Sequence, residues 1–270
     1  MINECINDWF FKNEELHPVA QFDTKYLQSG NFYEVIRVSD NIPLFLEDHL
    51  ERFRNSIKEK QLIDFAFSFN YRKIINELAL HNKKSTGNIK ILLTKTNKPE
   101  LCIYFIAHSY PTTEQYSNGV KLTFLKAERN NPEIKAVNLD LRQKAEEILK
   151  SSGYYEIILV NNEGYITEGH KSNFFLIKGN CVYSAPSELI LAGITRKYVL
   201  ALCKKNNFNY CESKISETDL NNFESAFITG TSPKILPVHN INNIPFDVKN
   251  SILRRLMEDY DKIIHSITSK

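Results

Sequence analysis

Apolar and polar positions recur along this chain with two different periods, and the changes of period divide it into elements. Phe32-Tyr33-Glu34-Val35-Ile36-Arg37-Val38 is rich in aromatic and β-branched residues, the composition of a strand. Trp9-Phe10-Phe11 reads the same way, and Asp40-Asn41 supplies a hairpin turn into a further strand over 42–46. From Glu47-Asp48 the period lengthens. Leu50, Phe53, Ile57 and Leu62 step at helical spacing, and a second helix runs through Tyr71, Ile74, Ile75 and Leu78. Strand patterning returns over 89–94 and 101–108, with Asn97-Lys98-Pro99 as the hairpin between them.

Ser109-Tyr110-Pro111-Thr112-Thr113-Glu114-Gln115 is polar and carries a proline, which places a domain boundary there. The reading is a first domain over 1–110, a linker over 111–115 and a second domain over 116–270. The second half opens with a strand over 120–125, an irregular segment holding Asn130-Asn131-Pro132, and a helix over about 138–151. Two β-rich runs follow, 155–160 and 173–177, joined through Gly164-Tyr165-Ile166-Thr167-Glu168-Gly169-His170-Lys171-Ser172. Turns at Asn161-Asn162-Glu163-Gly164 and Lys178-Gly179-Asn180 predict a sheet of successive antiparallel strands, carrying one carboxylate, Glu168, beside a glycine. A helix begins near Ile194-Thr195, a short strand over 225–229 runs into Gly230-Thr231-Ser232-Pro233, and an amphipathic helix over 247–267 closes the chain.

Strands and helices mixed in this way spell an α/β (α+β) chain, and 270 residues suffice for a large core. Charge narrows the partners: the formal net charge is +2 and no Lys/Arg run stands out, so neither nucleic acid nor an anionic membrane is expected. Cys5, Cys102, Cys181, Cys203 and Cys211 lack CxxC or Cys/His spacing, so reduced thiols and no metal site are expected. The start of the chain has no basic stretch leading into an apolar one, and no 18-residue apolar run occurs; the expectation is a soluble cytoplasmic protein.

Three features suit a phosphate. Gly193-Ile194-Thr195 opens a helix, whose first N–H groups and positive dipole end face an anion. Gly230-Thr231-Ser232 follows a strand and adds hydroxyls, and Arg52 offers a fixed charge. The chain has no GxGxxG and no GxxxxGK[ST], which argues against dinucleotide or P-loop chemistry. Lys135, flanked by Ile134 and Val137 before a helix, is a candidate nucleophile: its amine reacts only when deprotonated, and partial burial pushes in that direction. Glu168 would need a cationic partner if buried.

Taken in order, these stretches resemble the fold-type IV pyridoxal-phosphate enzymes, the family of the D-amino-acid and branched-chain aminotransferases and aminodeoxychorismate lyase. The resemblance rests on Tyr33-Glu34-Val35-Ile36-Arg37-Val38, His49-Leu50-Glu51-Arg52, Ile134-Lys135-Ala136-Val137-Asn138-Leu139, Tyr165-Ile166-Thr167-Glu168-Gly169, Ser172-Asn173-Phe174-Phe175, Ile190-Leu191-Ala192-Gly193-Ile194-Thr195-Arg196 and Thr229-Gly230-Thr231-Ser232. It implies a small α/β domain and a larger domain with a β-rich core flanked by helices, pyridoxal 5'-phosphate held between them, and a homodimer. It further implies that Lys135 takes the cofactor aldehyde and serves as proton carrier, and that Glu168 faces the pyridine nitrogen. Arg52, Gly193, Ile194, Thr195, Gly230 and Thr231 would surround the phosphate, and Leu191 would pack on the ring.

The substrate side departs from each version of the family. The Arg-x-His of the D-amino-acid enzymes is replaced by Lys95-Thr96-Asn97-Lys98, and the Tyr and Arg of the branched-chain enzymes by Asn88 and Lys90. The lyases share a lysine at Lys90 but carry Thr at the Val35 position. Tyr33, Arg37, Lys90, His170 and Ser232 remain as substrate-binding candidates, with Lys90 first for the carboxylate. Transamination of an amino acid with a 2-oxo acid is the expected activity; lysis of aminodeoxychorismate, or cofactor binding without turnover, are the alternatives.

Overall fold

The computed structural model describes residues 4–129 and 131–269; Asn130 of the irregular segment lies outside them. Two compact units emerge. One holds the chain up to Ser109 together with Ile134–Leu139 and the last residues from Ser266; the other holds Tyr110–Glu133 and Asp140–His265.

The first unit is a sheet with helices packed on one face. Its elements are β1 (Trp9–Lys12), β2 (Glu15–Pro18), β3 (Phe32–Ser39), β4 (Ile42–Pro43), α1 (Leu46–Ser56), α2 (Lys60–Ala66), α3 (Tyr71–His81), β5 (Gly87–Leu93) and β6 (Leu101–Ile106). The strand order is β2-β1-β6-β5-β3-β4, antiparallel throughout. Asp40 and Asn41 both take positive φ, as the predicted hairpin between β3 and β4 requires. Along β3, Phe32, Glu34, Ile36 and Val38 are buried while Tyr33, Val35, Arg37 and Ser39 are half-exposed. Ile36 and Val38 pack with Phe53, Ile75, Leu78, Ile89, Ile91 and Phe105, each such side chain contributing about 1.5–3 kcal/mol of burial. The opposite face stacks Tyr33 and Leu92 with Phe10, Tyr26 and Tyr104.

One predicted helix proves to be two. Helical spacing runs from Leu50 to Leu62, yet α1 stops at Ser56, where Ile57 turns extended, and Leu62 belongs to α2. Ser56 Oγ bonds the Arg52 carbonyl four residues back, a local bond that competes with helix continuation. A second difference concerns the lysine segment, which the sequence reading assigns to the second domain. Residues 134–139 join the first unit because Ala136 bridges Phe32 and Val137 exchanges backbone bonds with Gly30 and Asn31.

The second unit carries α4 (Thr113–Asn118), β7 (Val120–Lys126), α5 (Leu139–Ser152), β8 (Glu156–Val160), β9 (Tyr165–Gly169), β10 (Asn173–Lys178), β11 (Cys181–Ser184), α6 (Ile194–Lys205), β12 (Asn209–Glu212), β13 (Ile215–Ser216), β14 (Ser225–Gly230), β15 (Lys234–Ile241), β16 (Ile244–Pro245) and α7 (Ser251–Thr268). Strand order is β12-β11-β10-β14-β15-β7-β8-β9-β13, with β16 on β15. This corrects the expected run of successive antiparallel strands. The β8–β9 and β10–β11 hairpins form, but β9 and β10 are not ladder neighbours, and β7 runs parallel to both β8 and β15. The turn signals fix each hairpin; they say nothing of where a hairpin joins the sheet. Phe175 and Phe227 face each other across β10 and β14 with rings stacked at 4.8 Å, fixing that register. Among the described residues no helix is long and apolar enough to cross a membrane.

Candidate active site

In the first unit, the backbone of Lys135 is fixed on both sides. Its carbonyl accepts from the Tyr33 amide at 3.1 Å, and its own amide donates to Ser56 Oγ at 3.3 Å. The side chain therefore leaves from the start of β3, with Nζ 4.8 Å from the centre of the Tyr33 ring. Lys90 Nζ stands 4.7 Å from the same ring. Lys90, the first candidate for a carboxylate trap, is buried and already bonds the Glu4 carboxylate at 2.9 and 3.1 Å. Arg37 lies opposite Asn88 on the half-exposed face of β3.

Arg52 belongs to a buried charge cluster on the helix side of the sheet. Its Nε and Nη2 donate to Glu34 at 2.7 and 2.6 Å, and His49 Nδ1 lies 2.9 Å from the same carboxylate. Glu34 is fully buried, which pushes its carboxyl upward, but Arg52 and His49 overcome this and hold it down to about 2. Burial drives His49 below its ordinary value; Arg52 and Lys135 push the same way and Glu34 opposes. The sequence contains the signal for this cluster, since Glu34 falls in phase with Ile36 and Val38.

In the second unit Glu168 is 2 % exposed and held from three directions. Arg129 Nε is 3.0 Å from Oε1, while Asn173 Nδ2 and the Leu191 amide donate to Oε2 at 3.1 and 3.0 Å. Asn173 Nδ2 also donates to the Leu191 carbonyl at 2.9 Å, tying β9, β10 and the approach to α6 together. Gly193, the residue before α6, lies so close to Asn173 Oδ1 that a Cβ there would collide with it. No side chain caps the first turn of α6, which opens with buried Ile194 and Thr195; Thr195 Oγ1 lies 3.3 Å from the Tyr260 hydroxyl. Across the ladder from Asn173 stands Thr229, whose buried hydroxyl has no hydrogen-bond partner among the described residues, followed by Gly230 and the turn with Thr231 and Ser232.

The chain folded around Glu168 thus sets the Leu191 carbonyl, Gly193 and, across the ladder, Thr229 around one side chain, Asn173. His170 has a different environment: Nδ1 pairs with buried Glu156, Ser172 Oγ donates to the other Glu156 oxygen at 3.2 Å, and the His170 carbonyl accepts from Arg129 Nη2 at 2.6 Å. Arg129 and Asn173 were invisible as partners in the sequence. Arg129 follows β7 with no motif around it, and only the sheet order brings it to β9.

An uncapped helix start beside an unpartnered hydroxyl suits a phosphate, and a buried, fixed carboxylate suits a ring nitrogen that must stay protonated. These residues fit pyridoxal phosphate. Among the described residues no His/Cys/Asp/Glu group could hold a metal ion.

Comparison with known proteins agrees. The family model "Amino-transferase class IV" matches residues 31–241. The D-alanine aminotransferase of Bacillus licheniformis is 31 % identical over 237 residues, covering 82 % of both chains. The putative branched-chain-amino-acid aminotransferase of Methanocaldococcus jannaschii is 26 % identical over 94 % of this chain and 93 % of that one. In fold, a T.th. branched-chain amino acid aminotransferase, solved with pyridoxamine 5'-phosphate, superposes with TM-score 0.79 at 21 % identity, covering 96 % and 94 % of the two chains. A putative 4-amino-4-deoxychorismate lyase from Legionella pneumophila gives 0.74 at 22 % identity, covering 89 % and 93 %. The chain belongs to the class IV aminotransferases, and its activity is that of a pyridoxal-phosphate-dependent enzyme moving an amino group between an amino acid and a 2-oxo acid.

Proposed function

We propose that Lys135 is the lysine that takes the cofactor aldehyde, that Glu168 holds the proton at the ring nitrogen, and that Arg52, the Ile194 and Thr195 amides and Thr231 hold the phosphate. The observation that carries this reading is the clamp on Glu168 by Arg129, Asn173 and the Leu191 amide. Two neutral donors and one cation fix the carboxylate in place, as a partner for a ring nitrogen must be fixed.

The cofactor, when bound, supplies an aldehyde carbon and an electron-withdrawing ring. The protein supplies the rest. Lys135 Nζ takes the proton from the substrate Cα and returns it on the other side of the reaction, a role favoured by its anchored backbone. Leu191 would pack against the ring face, and Gly230 would let the backbone approach the phosphate closely. Tyr33 and Lys90 line the substrate side, with Arg37, Ser232 and His170 as the other candidates. The D-alanine aminotransferase relative favours small donors of the D configuration. The family resemblance supports a cytoplasmic homodimer.

Borohydride reduction of the holoenzyme followed by peptide mapping is expected to place the pyridoxyl group on Lys135; label on another lysine would overturn the assignment. A panel of D- and L-amino acids with pyruvate or 2-oxoglutarate is expected to show turnover greatest for small D-donors. If no donor converts the cofactor to its amine form while aminodeoxychorismate yields pyruvate, the lyase activity replaces transamination.

A further inference from the structure

The sheet edge of the second unit holds two thiols in contact. β11 and β12 run parallel, with Cys181 opposite Asn209 and Tyr183 opposite Cys211. Across this diagonal Cys181 Sγ donates to Cys211 Sγ at 2.9 Å, and both are free thiols. β12 is the terminal strand on this side; Asn209 and Glu212 are exposed, and Tyr210 and Cys211 half-buried, so a small reagent can reach Cys211. Cys203, a third thiol, is fully buried on α6.

The residues flanking Cys211 are also engaged. Arg196 Nη2, in the first turn of α6, donates to Tyr210 Oη at 2.8 Å, Glu212 Oε1 at 2.9 Å and Ser187 Oγ at 2.9 Å. The strand carrying Cys211 therefore grips the helix start through the residue that follows Thr195.

We propose that Cys181 and Cys211 form a dithiol site that closes reversibly to a disulfide on reaction with a low-molecular-weight disulfide of the glutathione class. Cys211, the more accessible, attacks first: its thiolate bonds one sulfur of the reagent and expels one glutathione thiolate. The Cys181 thiolate then attacks the Cys211 sulfur of the mixed disulfide and expels the second. Two protein thiols are oxidised, one glutathione disulfide is reduced to two thiols, and the two protons pass to the leaving thiolates. In the dithiol form burial, with Cys211 beside it, pushes the Cys181 thiol up to about 11. Oxidation would fix β12 to β11 beside the Arg196 grip.

The test is oxidation of the holoenzyme with excess glutathione disulfide at pH 8, followed by intact-mass measurement and peptide mapping without reductant. The expected product is lighter by about 2 Da, carries a peptide joining Cys181 to Cys211, and reverts with dithiothreitol. Cys181→Ser is expected to stop at a glutathione adduct on Cys211, and Cys203→Ser to form the crosslink normally. A wild-type enzyme that keeps both thiols titratable, or accumulates the glutathione adduct alone, overturns the proposal. None of these readouts depends on the roles given to Lys135 or Glu168.

Discussion

Two buried carboxylates, each facing an arginine, do different work. Glu34 in the first unit receives both Nε and Nη2 of Arg52 and the ring of His49, so its acceptors face side chains that carry or can carry positive charge. Glu168 in the second accepts from one side-chain amide and one backbone amide, with the Arg129 guanidinium as an ion-pair partner 3.0 Å away. The first is a counter-ion that makes burial of Arg52 tolerable. The second is held in place mostly by neutral dipoles, which orient an anion without cancelling it. On the proposed assignment, the first anion serves the fold and the second the cofactor ring.

Lys135→Ala sets the upper end of the scale. With the proposed proton carrier gone, kcat is expected to fall by about 10²–10⁴-fold while the denaturation midpoint stays near that of the wild type. Glu34→Gln is expected to act on folding instead, lowering the unfolding free energy by about 3–5 kcal/mol in a urea titration, because Arg52 stays buried without its counter-charge. Glu168→Gln should do the reverse. The loss of one charged hydrogen bond, about 1.5–3 kcal/mol, corresponds to roughly a ten- to hundred-fold drop in kcat with the cofactor still bound. A Glu168→Gln enzyme with full turnover and reduced stability would erase the contrast.

Acid should sharpen the same contrast. His49 has a folded pKa below its ordinary 6.5, so the unfolded chain binds the proton first. The stability it contributes is present above pH 6.5 and is lost as pH falls through the folded value. Unfolding midpoints measured between pH 7.5 and 5.5 are expected to decline, and to decline less in His49→Gln. Glu34 acts in a lower window, from its ordinary 4.5 down to about 2. The smallest expected effect belongs to Thr229→Val: removing an unpartnered buried hydroxyl should leave the cofactor-free enzyme equal or up to about 1 kcal/mol more stable, while cofactor affinity weakens. Unchanged affinity would remove Thr229 from the phosphate side.

Local chemistry carried much of the fold in the sequence. The phase of β3, the turn at Asp40-Asn41 and the start of α6 at Gly193-Ile194-Thr195 each follow from neighbours within a few residues. What stayed hidden depended on strand order. Arg129 meets Glu168 only because β7 and β9 both flank β8, and Asn173 reaches it although β9 and β10 share no ladder. Lys90 was legible as a cation on a strand, but its partner Glu4 lies in a different segment, with no spacing rule to connect them. The break between α1 and α2 was hidden because Ser56, Ile57 and Lys58 contain neither glycine nor proline.

The three residues His170, Lys171 and Ser172 connect strands that the sheet order separates by four others. This brief passage puts Asn173 five residues from Glu168, while the Leu191 amide lies twenty-three residues on. The Leu191 amide can reach Glu168 only after the chain beyond β11 has returned. A nascent chain emerging as far as Ser184 holds the whole motif from Tyr165 to Phe175 and yet no clamp. Such non-local closure is slow compared with hairpin formation, so appearance of the cofactor's bound absorbance during refolding should lag the gain of secondary structure.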